Sequence, residues 1–459
     1  GKKNSGKLSF EEALKIISKE LKTNKKDNQK NIKTDTKKKK VTIKKKTSSK
    51  KSNQKEIIKK NITKKNVVKK QSTKKKTVKK EPKVTIKKKT TKKKIVKQLS
   101  KLKETKIKKE IVEKSILKRS HKNPIIKPNY RNHWESYQTF NPGVVKIGDE
   151  IHFLYRAIGS DGVSRLGYAK SKNGYDIHDR EDFPVYEDSS EFSPYSYYCA
   201  ASGGSWSGAE DPRLVRVDDE DKIYVTFTSC SDGLRMGISS IELKDFVKKR
   251  WNWKKTWHLS PPGEVHKNWV IFPNKINGKY AIIHSISPEI SIEYRDTLEV
   301  DGDYIKSYFN PNKNAKKDDL YIRGAGPPPV KTKEGWLLFY HYMNRDDMSK
   351  YKIGVMLLDL KNPEKIISNP KIPLLIPEEL YELEGFKSGV VYASGAVIKG
   401  KNLILYYGGA DSFVCAASIE LNKLLKQIKS KDKKPIKLKI KKENCNDKKI
   451  HKQSDCFSK

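Results

Sequence analysis

Between residues 141 and 419 the chain repeats one arrangement of apolar and polar positions five times. A Pro- or Gly-containing opening leads into a short apolar run. A polar or Gly turn follows, then a strongly apolar run, a gap, and a third run with small residues. In the first unit these are Asn141-Pro-Gly-Val-Val-Lys146, Ile151-His-Phe-Leu-Tyr-Arg156 and Ser164-Arg-Leu-Gly-Tyr-Ala-Lys-Ser171. The second has Asp211-Pro-Arg-Leu-Val-Arg216, Ile223-Tyr-Val-Thr-Phe-Thr228 and Arg235-Met-Gly-Ile-Ser-Ser240. The openings fall at Asn141, Asp211, Phe272, Pro328 and Ser394, 56 to 70 residues apart. Runs of this length and composition are strands, and the spacing suits one small antiparallel sheet per unit. A four-stranded sheet cannot bury both faces alone, whereas radial stacking covers each face with a neighbour. The expected fold is all-β, a five-bladed β-propeller over residues 119–430. A β-sandwich is the alternative, but five like units do not divide naturally into two sheets.

Upstream the pattern vanishes. Residues 22–118 alternate lysine with Thr, Ser, Asn, Val and Ile, and Val41-Thr-Ile-Lys-Lys-Lys-Thr47 recurs unchanged at 84–90. Residues 1–120 hold 47 Lys+Arg against 10 Asp+Glu, and 431–459 hold 11 against 4, which leaves 42 against 40 in 121–430. The formal charge of +46 therefore belongs to the tails. Self-repulsion at this density predicts a disordered Lys-rich tail. It is either a solvated linker or a tether for a polyanion such as nucleic acid or an anionic surface. Residues 7–21 read as a short amphipathic helix with a Ser9/Glu12 capping box, and 419–428 read as another helix. A chain opening on Gly1 reads as a fragment or processed product. The sequon at Asn61 carries little weight inside such a tail.

Five cysteines without CxxC spacing point away from a zinc ribbon and fit a reducing compartment. The histidines show no HxH or HExxH spacing, so no metal is expected, nor any cofactor. No apolar run approaches the ~20 residues of a membrane span.

Candidate chemistry centres on Gly208-Ala-Glu-Asp-Pro-Arg-Leu214. Proline removes the helical option for Asp211 and predicts an extended carboxylate at the mouth of a strand. The bland alternative makes Glu210 and Arg213 a surface ion pair. In a propeller the openings converge on one mouth, so Asn141, Asp211 and the residues around Phe272, Pro328 and Ser394 would ring it. Arg156, His284, His341 and Asp411, at or just past the ends of second strands, would add polar groups. Such a set suits sugar hydroxyls and protonation of a leaving oxygen.

Several segments together resemble glycoside hydrolase family 130, the β-mannoside phosphorylases and mannosidases. They are Asn141-Pro-Gly143, Leu154-Tyr-Arg-Ala157, Glu210-Asp-Pro-Arg213, Phe272-Pro-Asn-Lys275, Gly324-Ala-Gly-Pro-Pro-Pro329, Trp336 to His341, and Tyr406-Tyr-Gly-Gly-Ala-Asp411. The resemblance implies a five-bladed propeller acting on a β-mannoside oligosaccharide. It implies Asp211 as proton donor, in some members through a sugar hydroxyl, and Asn141, Arg156, Arg213, His341 and Asp411 as mannosyl-binding residues. The family's phosphorylases carry basic residues where this chain has Ser285 and Ile322. Lost cations weaken a phosphate site, so inverting hydrolysis of β-1,2-mannosides ranks first. Its base would be Glu289, Glu264 or Glu384. A phosphorylase using Arg323, Lys267 or Lys275 for phosphate is the second reading. A non-catalytic glycan-binding propeller is the third.

Overall fold

The computed structural model describes residues 113–188, 192–194, 196–230, 232–307 and 320–431. The expected N-terminal helix, the lysine-rich segment to residue 112, Asn61, Cys445, Cys456 and the C-terminal tail lie outside the described residues.

Most of the regular structure in the described chain is strand. After β1 (Lys118–Arg119), the first antiparallel group contains β2 (Gln138–Ile147), β3 (Glu150–Ile158), β4 (Val163–Ser171) and the short β5 (Asp179–Arg180). Helix α1 (Ser196–Gly203) leads into the second group: β6 (Ser207–Val215), β7 (Lys222–Ser229), β8 (Arg235–Glu242) and β9 (Trp257–His258), with α2 (Leu243–Val247) after β8. The third has β10 (Val270–Ile271), β11 (Tyr280–Ser285) and β12 (Ser291–Arg295). The fourth has β13 (Leu320–Ala325), β14 (Val330–Thr332), β15 (Gly335–Asn344), β16 (Asp347–Leu358) and β17 (Ile366–Ser368). Helix α3 (Leu380–Leu383) precedes the fifth, β18 (Val391–Lys399), β19 (Asn402–Gly409) and β20 (Phe413–Glu420), and α4 (Leu421–Lys431) follows. A parallel bridge, Val163 with Ser207 and Ser164 with Gly208, joins the first two groups.

The two-residue alternation decides how the groups pack. Along β19, Leu403, Leu405 and Tyr407 enter a core shared with the fourth group, while Ile404 and Tyr406 enter one shared with the first. Along β7, Ile223, Val225 and Phe227 face the first group, and Tyr224 faces the third. The remaining large core joins the third and fourth groups, with Phe272 edge-on to Trp336 at 5.0 Å. Five cores thus link group one to two, two to three, three to four, four to five, and five back to one. Both faces of every sheet are covered, which is why apolar residues follow one another along the second strands, as in Phe153-Leu-Tyr155, Ile223-Tyr-Val225 and Leu403-Ile-Leu-Tyr-Tyr407.

Two element boundaries differ from the sequence expectation. The compositional boundary at 118/119 falls inside β1, which pairs with β20 through Lys118–Ser418 and Arg119–Ala417. Leu117 lies in the core between groups four and five; a short apolar pair among lysines reads as tail but finds a buried slot. The last helix starts at Leu421 rather than 419, because β20 pairs through Glu420.

Candidate functional site

The first strands of four groups each break register at one place. The breaks fall between Phe140 and Gly143, Glu210 and Arg213, Ile322 and Gly324, and Ala393 and Gly395. A bulge leaves residues outside the ladder and re-aims their side chains. Here those residues are Asn141 with Pro142, Asp211 with Pro212, Arg323 and Ser394. Asn141 and Asp211 have φ of 45° and 50°. Asp211 is therefore left-handed, not extended as the Asp-Pro dipeptide suggested. Asn and Asp tolerate this region better than other non-glycine residues, where it costs roughly 1–2 kcal/mol.

Asn141 Nδ2 donates to Asp211 Oδ1 at 2.8 Å, and Arg156 Nη1 donates to the same oxygen at 3.1 Å. The other face of the Arg156 fork holds Glu210 Oε1 at 2.9 Å and Ser205 Oγ at 3.0 Å, with Nε on Ser164 Oγ at 3.1 Å. Glu210 Oε2 accepts from Ser202 Oγ at 2.6 Å and Lys267 Nζ at 3.0 Å, and Lys267 also meets Ser202. Glu210 and Arg213 are thus no surface pair. Both are fully buried, and Glu210 is neutralised by Arg156 and Lys267.

Arg213 ties together the later groups. It donates to the Asp211 carbonyl at 2.6 Å, Asn268 Oδ1 at 2.9 Å, Tyr392 Oη at 2.8 Å and the Gly326 carbonyl at 3.2 Å. Asn268 reaches the Arg323 carbonyl at 3.2 Å. His341 stacks on Tyr392 at 3.9 Å and bonds the Ala393 carbonyl through Nε2 at 2.9 Å. Burial, aided by the Arg213 charge, pushes His341 down to about 3, so it is neutral. Asp411, on a left-handed Ala410-Asp411 turn, has Lys387 at 3.6 Å. Lys387 also donates to the Ala201 and Ser202 carbonyls at 3.2 and 3.0 Å. Gly408 explains part of the Tyr-Tyr-Gly-Gly-Ala-Asp run: a Cβ there would lie 2.0 Å from Asn141 Oδ1.

The carboxylates are driven apart in acidity. Burial alone would raise Asp211, but Arg156, Lys267 and Arg213, with the Asn141 amide, outweigh it and hold the carboxyl well below its usual range. Burial pushes Asp411 up to about 6 against the opposing Lys387 charge, and the Asp211 charge adds to the rise. An unfolded aspartate releases its proton near ~3.9. The folded state therefore binds Asp411's proton more tightly, and stability is lost as pH rises from about 4 through about 6. The loss is on the order of 3 kcal/mol. Asp411→Asn is expected to raise the thermal midpoint at pH 7.5 and to give a much smaller gain at pH 4. Melting curves at both pH values check this, and a fall at pH 7.5 contradicts it.

Of the residues singled out from the sequence, Asn141, Arg156, Asp211, Arg213, His341, Asp411, Lys267 and Arg323 form one connected set. Lys275 stands apart, paired with Glu220 at 2.9 Å and over Tyr280. Glu289, Glu264 and Glu384 are exposed, and Glu264 pairs with His266 at 2.6 Å. His284 faces Trp269 and Ser307 rather than the set. Phe272 is core, and the third group reaches the site through Lys267 and Asn268 instead. Ile322 packs against core while Arg323 beside it turns to Tyr321. Ser202, Ser205, Asn268, Tyr392 and Lys387 were not foreseen. Only Asn268, next to Lys267, stood beside a named residue.

A family profile described as beta-1,4-mannooligosaccharide phosphorylase matches residues 116–430. The chain is 34% identical over 313 residues to the 1,2-beta-oligomannan phosphorylase of Thermoanaerobacter sp. (strain X514), covering 66% of this chain and 97% of that relative. It is 32% identical over 306 residues to the beta-1,2-mannobiose phosphorylase of the same organism, covering 66% and 96%. A glycosyl hydrolase from Bacteroides ovatus superposes with a TM-score of 0.54 at 25% identity, covering 67% of this chain and 94% of that one. On these matches and the connected site, the chain belongs to glycoside hydrolase family 130.

Proposed function

We propose that this protein is an inverting β-mannoside phosphorylase whose substrates are β-1,2-linked manno-oligosaccharides and inorganic phosphate. The order of readings taken from Ser285 and Ile322, hydrolysis first, is reversed. The two relatives above are named as phosphorylases acting on β-1,2-mannosides or mannobiose. The proposed architecture is a five-bladed propeller, supported by the cyclic sequence of five cores and by Arg213 touching three other groups.

The observation that carries the reading is the composition of the connected set. Arg156, Arg213, Lys267 and Lys387 are set against Glu210, Asp211 and Asp411, one more cation than carboxylates, and the Arg323 charge reaches the adjoining His341. That excess suits a dianion. Asn141 Oδ1, His341 Nδ1 and Ser394 Oγ are buried without a hydrogen-bond partner in the protein. Sugar hydroxyls would satisfy such atoms. Water as nucleophile requires a second carboxylate about 6.5–9.5 Å from the acid. The three glutamates considered for that role are exposed, whereas phosphate needs no base.

In the reaction a phosphate oxygen forms a bond to the anomeric carbon as the glycosidic C–O bond breaks on the opposite face. The proton of Asp211 passes to the departing oxygen. The products are α-mannose 1-phosphate and a chain shorter by one mannosyl unit. In the free protein the cations keep Asp211 ionised. A phosphate dianion docked at Lys267 offsets that field, so the carboxyl takes up its proton as phosphate arrives.

The test is incubation of the full chain with β-1,2-mannobiose, with and without inorganic phosphate. Mannose 1-phosphate formed only with phosphate is expected. Free mannose as the sole product, at a phosphate-independent rate, would restore hydrolysis as the reading.

A further inference from the structure

A buried charge far along the chain from Asp211 connects the N-terminal strand to the site. Glu382 on α3 is fully buried. Its Oε1 accepts from Arg119 Nε and Tyr407 Oη, each at 2.8 Å. Its Oε2 accepts from Arg119 Nη2 at 2.8 Å and from the Glu378 and Glu379 amides at 2.8 and 3.1 Å. Arg119, on β1, is the cation in this nest, and it also holds Glu378 at 2.8 Å and the Ile376 carbonyl at 2.5 Å.

The chain after Glu382 is a strap laid across the turn that carries Asp411. The Gly389 and Val390 amides return to the Glu382 carbonyl at 3.0 and 3.2 Å. The Lys387 amide bonds the Ala410 carbonyl at 2.9 Å, the Ala410 amide bonds the Val390 carbonyl at 2.9 Å, and the Phe386 amide bonds Ser412 Oγ at 2.8 Å. This anchoring sets the Lys387 ammonium beside Asp411.

We propose that Arg119 is a positioning residue for the site: by neutralising Glu382 it holds the 382–390 strap that places Lys387 against Asp411. Removing the guanidinium leaves a buried carboxylate unpaired, and the cheapest relief is to open the strap. The charges facing Asp411 are Lys387 from the strap, Asp211 from β6, Arg156 from β3 and Lys267 upstream of β10. Only Lys387 rides on the strap. Its loss leaves Asp411 with less opposing positive charge, so the Asp411 titration moves upward.

The test uses Arg119→Met, Arg119→Gln and Arg119→Lys in the full chain. Hydrogen exchange of the amides in 382–390 is expected to rise about tenfold or more in Arg119→Met, less in Arg119→Gln and least in Arg119→Lys. Amides of β6–β8 should not change. An ionised Asp411 accepting from a mannosyl hydroxyl would give kcat/KM an acid-side inflection near pH 6, and this should shift up in Arg119→Met, by the same amount as in Lys387→Met, with no further shift in the double variant. If Arg119→Met does not fold, Arg119→Gln carries the same comparison. Exchange that rises uniformly, or an inflection unmoved while stability falls, would mean a purely structural arginine and overturn the proposal. The pH readout rests on the phosphorylase reading, but the exchange readout does not. A wild type without turnover therefore sinks that reading alone, while the exchange data still decide the role of Arg119.

Discussion

Asp211→Asn is expected to lower kcat for phosphorolysis of β-1,2-mannobiose by about 10²–10⁴-fold, the usual contribution of a positioned acid. The fold should survive. Asparagine is the other residue that readily occupies the left-handed backbone found at this position, φ 50°. Its Oδ1 can still accept from Asn141 Nδ2 and Arg156 Nη1, which both donate to Asp211 Oδ1. Arg156 also keeps Glu210 as counter-ion. What is lost is the proton that an amide cannot supply. Product chromatography with initial rates, alongside calorimetric binding of mannobiose, checks the split between chemistry and binding. A kcat within tenfold of wild type would remove Asp211 from the role of acid.

Arg156→Met is expected to have the largest effect on stability. Its guanidinium is fully buried and bridges Glu210 and Asp211 at 2.9 and 3.1 Å. Breaking a buried pair from one side typically costs about 3–5 kcal/mol, because the remaining charge stays buried without compensation. Here two carboxylates lose the same partner, and Lys267 remains on only one of them at bonding distance. Urea denaturation measures the loss directly, and less than about 1 kcal/mol would contradict the argument. Lys267→Met separates the two roles. Lys267 is partly exposed, so its loss should raise KM for phosphate more than it lowers stability.

The two carboxylates illustrate different degrees of legibility. Asp211 could be picked out because a proline follows it inside a repeated strand opening. Its conformation could not, since the bulge that makes it left-handed depends on pairing with β7, where Glu210 meets Thr228 and Arg213 meets Thr226. Glu210 was visible as a charge, but its nearest cation in sequence, Arg213, is not its partner. Consecutive residues on a strand point to opposite faces, and a bulge scrambles even that rule. The glutamates weighed as bases show the converse limit. Composition marks a carboxylate in a loop but does not say whether the loop faces solvent or cleft.

What the sequence by itself determined is what short-range chemistry controls. The consecutive apolar runs, such as Leu403-Ile-Leu-Tyr-Tyr407, specify strands covered on both faces. Five like openings specify five groups. The tails carry nearly all of the excess charge. The family resemblance also rests on local segments. The tertiary structure alone decided which charges share a site. Arg156 and Asp211 are 55 residues apart, Arg213 and Tyr392 are 179, and Arg119 and Glu382 are 263. At such separations nothing in the chain's local order selects a partner. The pairing follows from how the groups close on one another, and burial at that meeting point turns ordinary aspartates into one held ionised and one pushed toward neutral.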